Sequence, residues 1–419
     1  MKFEFHPKFF LGRLIKIEAA LAILQLLYIL IFCIWNEELL LVWFFVHAFA
    51  LFGLAYLYMF LRGRDTIPQI NENLLLLLLL VSFVVKLYAR TRYAQGWLEE
   101  GLYAARQAEQ TADQRLLTPV NFLFYPLAII AAITNLEARR KTIAISALLI
   151  MCAVDFTFIG TRNAPTFVLL FLLLSVRTRT RLVPFMAGSA LILAYVLIFN
   201  FSTVYRSGDY VLGLFDWLTV FEATHSTQIL RPDMEVIVKI NDSFPALLPL
   251  LFLMHYFSHS IGELLYFLEN QRDLFAGGFY HIIDQFCALG FCSRPESLEL
   301  VERINPRAGS YGTLWLSLIE DVGIAGAVLV YAGVLGAAGL AIATRMRIAG
   351  PVSIMVGVLL VLSPIENYAY NGVGFGSIVA TVALFWLLSV SSSIRISRNS
   401  FAAPQLNESV TARRSGVIG

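Results

Sequence analysis

Charge is what this sequence has least of. Of its 419 residues, 31 are Lys or Arg and 29 are Asp or Glu, so charged side chains make up 14%, about half the share expected of a soluble domain. Hydrophobic residues make up 58%, and mean hydropathy is +0.73. So few charges cannot wet the surface of a soluble protein this long without leaving large apolar patches, which excludes an ordinary soluble enzyme. The net charge of +2 is not gathered into a basic patch or an aromatic-interleaved stripe, and nucleic acid is not an expected partner. Cysteine is scarce, with four in the chain. Cys33 and Cys152 sit in apolar runs and read as small hydrophobes, while Cys287 and Cys292 are close enough in sequence to pair in an oxidising compartment. The six histidines include His255 and His259, whose spacing alone specifies no metal site. There is no P-loop, no Gly-x-Gly-x-x-Gly and no Gly-x-Ser-x-Gly elbow. Internal repeats of the kind found in many secondary transporters are also missing.

Long apolar runs, by contrast, are abundant. A window long enough to cross a hydrocarbon core of about 30 Å picks out ten spans, near residues 14–35, 39–61, 73–89, 118–135, 142–159, 164–176, 182–201, 313–344, 351–367 and 373–394. Leu74 to Leu80 is an uninterrupted leucine run, apolar on every side of a helix and suited to lipid contact. The first span follows Lys8, Arg13 and Lys16 without a cleavage pattern and reads as a retained signal anchor.

Basic residues in short loops stay cytoplasmic. With the N-terminus inside, the inner segments hold 18 basic and 6 acidic residues, and the outer ones 13 basic and 23 acidic. The near-neutral total thus hides a strong separation of charge. The stretch Phe244 to Leu268 is apolar enough to be an eleventh span. Its Pro245, Pro249, His255, His259 and Glu263 favour an interfacial or re-entrant pair of helices, and a crossing there would move Arg345, Arg347, Arg395 and Arg398 to the outside. The expected fold is therefore an all-α polytopic membrane protein. It has a seven-span bundle over 1–201, a large outer loop over 202–312, three more spans over 313–394 and a cytoplasmic tail over 395–419. The large loop is rich in aromatic residues and is expected to pack on the membrane face. The segment 90–117, with Glu99, Glu100, Glu109 and Asp113 among alanines, reads as an amphipathic helix.

Ionisable residues at membrane depth are costly and point to function by default. Asp155 and Arg162 are seven apart and share a helix face. The span after Pro165 is too short to cross, so Arg162 is expected below the outer surface, in a structural pair with Asp155 or in an anion site. Arg206 opens the large loop. Asn305-Pro306-Arg307-Ala308-Gly309-Ser310-Tyr311-Gly312 returns it to the membrane, and Glu320 and Asp321 follow two turns into an apolar helix. Adjacent carboxylates point about 100° apart on a helix, so at most one is expected to share a site fully with a given ligand. Gly323 and Gly326 read as small-residue packing positions. Glu366 to Asn371, at the outer end of the ninth span, reads equally as a cavity lining, together with Gly372, Gly374 and Gly376, or as a polar turn.

Arginines bind a pyrophosphate bidentately, and carboxylates hold sugar hydroxyls or act as general base. An activated sugar on a polyprenyl pyrophosphate suits such a site on the outer face, where no ATP is available. Gly160-Thr161-Arg162 opening a short span, Tyr205-Arg206, Ser310-Tyr311-Gly312 and Glu320-Asp321-Val322-Gly323, set in a layout of about ten spans with one large outer loop, resemble the Wzy-type O-antigen and oligosaccharide repeat-unit polymerases. The resemblance implies a GT-C-like fold in a bacterial inner membrane, with both termini cytoplasmic. It implies a metal-independent glycosyltransferase, without cofactor, that joins undecaprenyl-pyrophosphate-linked oligosaccharides. A chain-length regulator and a flippase are the implied partners. Arg162, Arg206 and Arg307 would then bind the pyrophosphate, Tyr311 would line the pocket, and Asp321 or Glu320 would serve as the base. The competing readings are an O-antigen ligase acting on lipid A core, a transporter of lipid-linked sugars, and a non-catalytic partner of a polysaccharide machine.

Overall fold

The computed structural model describes residues 6–61, 69–100, 112–159, 196, 216–271, 274–281, 299, 303–305, 312–344, 346, 348–365 and 378–390. The chain opens with α1 (Pro7–Phe32), started by a proline whose missing N–H is no loss in a first turn. A two-residue strand β1 (Cys33–Ile34) leads to α2 (Glu37–Phe60), where the Asn36 side chain accepts from the Leu39 N–H at 2.8 Å and closes the open end of the helix. Then come α3 (Glu72–Glu100), α4 (Ala112–Ile133) and α5 (Ala138–Ile159). The segment expected to be an outer loop holds α6 (Trp217–Thr227), β2 (Arg231–Pro232), α7 (Met234–Ser243) and α8 (Leu248–Asn270). Last are α9 (Leu314–Ala343), α10 (Ala349–Leu362) and α11 (Ile378–Val390).

Among the described residues four helices, Pro7–Phe32, Glu37–Phe60, Glu72–Thr91 and Leu314–Ala343, are long and apolar enough to cross a membrane, since 20 residues at 1.5 Å each span about 30 Å. Eight of the expected spans coincide with helices. The other two, 164–176 and, but for residue 196, 182–201, lie outside the described residues, as do Cys287 and Cys292. Burial is inverted relative to a soluble protein. Ile23, Leu24, Leu77, Val84, Leu329 and Leu340 are exposed, while Glu18, Gln25, His47, Lys86, Asp155, Glu263, Glu320 and Asp321 are buried. This is the arrangement of a membrane-embedded helical protein.

The helices sort into two groups. In the first, α3, α4 and α5 pack on one another, and in the second α1 and α2 pack together and each also touches α8 and α10. α9 joins the second group through α2 and α10. The stretch 244–268 departs from the expected pair of helices. A single turn at Pro245–Leu247 runs straight into one continuous helix, because Pro249 falls in the first turn, where proline starts a helix rather than breaking it. Thirteen of the 23 residues of α8 are buried, so this helix is part of the bundle. It is tied down on several sides. Ser260 Oγ donates to the Pro364 carbonyl at 2.9 Å. Gly262 lies so close to Leu230 that a Cβ would come within 2.8 Å of its backbone nitrogen. Just beyond Leu230, Arg231–Pro232 pairs antiparallel with Cys33–Ile34 at the end of α1.

α9 is broken. Gly323 has φ 72° and ψ 172°, a conformation open only to glycine, inside an otherwise helical run. Gly323 therefore does more than the packing expected of it.

Candidate functional site

The break in α9 leaves carbonyls of the preceding turn without the partners that a continuing helix supplies. Two are taken up by the segment 274–281, where the Ala276 N–H donates to the Glu320 carbonyl at 2.8 Å and the Gly278 N–H donates to the Asp321 carbonyl at 3.1 Å. Phe275 packs on the break, 3.4 Å from where a Gly323 Cβ would stand. The segment is thereby fixed by backbone bonds, and its last residue, His281, arrives beside the acid pair.

His281 Nδ1 lies 2.7 Å from Asp321 Oδ1, and its Nε2 lies 3.1 Å from Glu320 Oε2. Both acid side chains share one partner within the chain. The reason is geometric: an imidazole presents nitrogens on two edges and so reaches two side chains that diverge on the helix. Glu320 Oε1 also accepts from Asn305 Nδ2 at 2.5 Å. Burial alone lowers the pKa of an imidazole, but the hydrogen bonds that the ring donates to Asp321 and Glu320 outweigh it and raise His281 to about 9. At neutral pH the ring between the two acid side chains is therefore an imidazolium. One oxygen, Asp321 Oδ2, is buried and has no hydrogen-bond partner among the described residues. Such an atom loses its hydration without compensation and is suited to a donor brought by a ligand.

A groove of about 170 Å³ opens beside the break, lined among others by Phe45, Phe49, Leu264, Trp315, Ile319 and Ile324. Its lining is apolar. Ile319 and Ile324 stand before and after the acid pair on the same helix, while the carboxyl groups themselves do not line the groove. Among the described residues no group of three or more His, Cys, Asp and Glu forms a metal site.

Asp155 has a different setting. Its Oδ1 accepts from Arg90 Nε at 2.5 Å, its Oδ2 lies 3.1 Å from Lys86 Nζ, and Tyr125 also donates to Oδ2. The Lys86 ammonium stands 4.8 Å from the centre of the Tyr125 ring, within cation–π range. These partners come from α3 and α4. Arg162, Arg206, Arg307, Tyr311 and the Glu366–Asn371 turn lie outside the described residues. Of the expected site residues, Glu320 and Asp321 are brought together, and His281, which was not among them, joins them. No local signal marks it, since 40 residues separate His281 from Asp321.

Comparison of the chain with protein-family models, with curated proteins and with solved structures finds no match.

Proposed function

We propose that the protein is a membrane glycosyltransferase that polymerises undecaprenyl-pyrophosphate-linked oligosaccharide repeat units on the outer face of a bacterial inner membrane, with ten spans and a GT-C-like arrangement. One observation carries the reading. An acid pair at a helix break, held by His281 and Asn305, leaves one buried carboxylate oxygen unpartnered among the described residues, on a helix that also lines an apolar groove through Trp315, Ile319 and Ile324. A lipid-linked sugar needs both halves of that arrangement: a base or hydrogen-bond acceptor for a hydroxyl, and an apolar channel for the carrier.

In this mechanism Asp321 Oδ2 accepts the proton of the attacking hydroxyl, which belongs to the non-reducing end of one lipid-linked unit. The hydroxyl oxygen bonds to the anomeric carbon of a second unit as the bond to its pyrophosphate oxygen breaks. The pyrophosphate leaves with the electron pair, and Arg162, Arg206 and Arg307 neutralise it, which should be the largest contribution to rate. Tyr311 lines the sugar pocket, and Glu320 fixes the His281 ring against Asp321.

The test is purified protein with one lipid-linked repeat unit and nothing else. A ladder of products is expected, and Asp321→Asn should lower its yield at least about 100-fold. Arg162→Lys should lose most activity because an ammonium cannot replace the guanidinium fork. Turnover only after lipid A core is added would make the protein a ligase, and full activity of Asp321→Asn would overturn the assignment of the base.

A further inference from the structure

A second polar cluster lies away from the acid pair, between α1, α2 and α8. Glu18 and Gln25 are 0% exposed and His47 is 2% exposed, inside two of the helices long enough to cross a membrane. Gln25 Nε2 donates to the Phe257 carbonyl at 2.5 Å, His47 Nε2 lies 2.6 Å from Gln25 Oε1, and His47 Nδ1 lies 2.7 Å from Glu18 Oε1.

Donor and acceptor logic fixes most of the hydrogens in this chain. A carbonyl only accepts, so the Gln25 amide nitrogen must face Phe257 and the Gln25 oxygen must face His47. His47 Nε2 therefore carries a hydrogen. The remaining contact, between His47 Nδ1 and Glu18 Oε1, then needs one proton. It is either on the acid, facing a neutral imidazole, or on the imidazole, facing a carboxylate. In both forms the pair has zero net charge, the condition for lying at membrane depth. Removing that proton leaves a carboxylate facing a lone pair. The imidazole answers by moving its hydrogen from Nε2 to Nδ1, and Nε2 then turns a lone pair toward Gln25 Oε1. Holding α8 by way of Gln25 thus depends on the proton.

We propose that Glu18 and His47 form an intramembrane proton-binding site, and that its proton latches α8 to the α1–α2 hairpin through Gln25 and the Phe257 carbonyl. Glu18 Oε2 and the Trp43 indole N–H are both buried and without a hydrogen-bond partner, and the Trp43 ring lies 5.4 Å from the His47 ring. An open acceptor and an open donor thus accompany the pair, and Oε2 is where a proton carrier such as water can engage the acid.

The titratable groups on the elements packed around the pair do not replace it. On α8 they are His255, Tyr256, His259, Glu263, Tyr266 and Glu269. His255 is engaged by Tyr28 at 3.0 Å and Gln228 at 2.6 Å, and His259 Nδ1 by the Tyr256 carbonyl at 2.7 Å. α9 brings Tyr331, bonded to the Phe49 carbonyl, and the acid pair bonded to His281. α1 itself carries Lys8, Arg13, Lys16 and Tyr28, and α2 carries Glu37, Glu38, Tyr56 and Tyr58, while α10 carries none.

Hydrogen–deuterium exchange of α8 in the purified full chain, corrected for the intrinsic pH dependence of exchange, reads the latch. Exchange of Leu248–Asn270 should rise roughly tenfold as pH is raised through the loss of the proton, the size of a charged hydrogen bond opening. Glu18→Gln supplies a permanent donor to His47 Nδ1 and should hold exchange low at every pH. An infrared difference spectrum of wild-type protein between acid and alkaline pH should show an ionising carboxyl or imidazole that Glu18→Gln removes. Wild-type α8 exchange that is independent of pH, or a wild-type pH response that persists in Glu18→Gln, would overturn the proposal. If Glu18→Gln cannot be recovered, the wild-type exchange profile alone decides.

Discussion

Asp155 and Asp321 are both buried aspartates on long helices, yet their surroundings differ in kind. Asp155 has both oxygens engaged, by Arg90, by Lys86 and by Tyr125. Asp321 has one oxygen on His281 and the other on nothing among the described residues. Two cations face one carboxylate in the first cluster, whereas two acid side chains face one imidazolium in the second. A saturated cluster fixes helices to each other, as the link between α3, α4 and α5 does. An open one keeps a polar atom ready at the expense of its own desolvation, which a merely structural pair has no reason to do.

Exchanging the two aspartates is the strongest way to break that contrast. Asp155→Asn leaves Lys86 and Arg90 buried without their shared carboxylate, and should cost about 3–5 kcal/mol. It should lower both the melting temperature in detergent and the amount of protein in the membrane, while Asp321→Asn should melt like the wild type. Equal melting of the two variants would dissolve the distinction. Gly323→Ala comes next. A side chain at φ 72° and ψ 172° costs about 1–3 kcal/mol, and it also presses on Phe275, so the melting temperature should fall and the segment 274–281 should become accessible to protease. The smallest effect is that of pH. His281 is raised from 6.5 to about 9, so the stability it gives to docking of 274–281 is complete below pH 6.5 and is lost as pH rises through about 9. Protease cutting in that segment should increase over this window in wild type and stay flat in His281→Gln.

The sequence makes one layer of this molecule plain and conceals another. Apolar run length marks α1, α2, α3 and α9, because crossing a membrane is a requirement on consecutive residues. Glu320 and Asp321 stand out for the same reason, since two acids in an apolar helix contradict their neighbours. α8 was harder to place. Its histidines, serines and Glu263 dilute its hydropathy, and the fold uses two of them as ties, His255 to Tyr28 on α1 and Ser260 to the Pro364 carbonyl. His281 and the Glu18–His47 pair were not legible at all. Each gains its meaning from a partner 29 to 40 residues away, and nothing in local composition encodes such a distance. The partners of Asp155 illustrate the same limit, for Lys86 and Arg90 come from another helix more than 60 residues away.

The break at Gly323 has an electrostatic consequence for the acids beside it. It makes Glu320 and Asp321 the closing turn of a short helix, and a closing turn is the negative end of the helix dipole, the least hospitable place for a carboxylate. The N–H groups of Ala276 and Gly278 cover the exposed carbonyls at that end, and the imidazolium of His281 sits against the side chains. The acids therefore owe their partners to a segment from a different part of the chain. Were 274–281 to lift away, that end of the helix would lose at once its two capping N–H groups and the ring that bridges its two carboxyl groups.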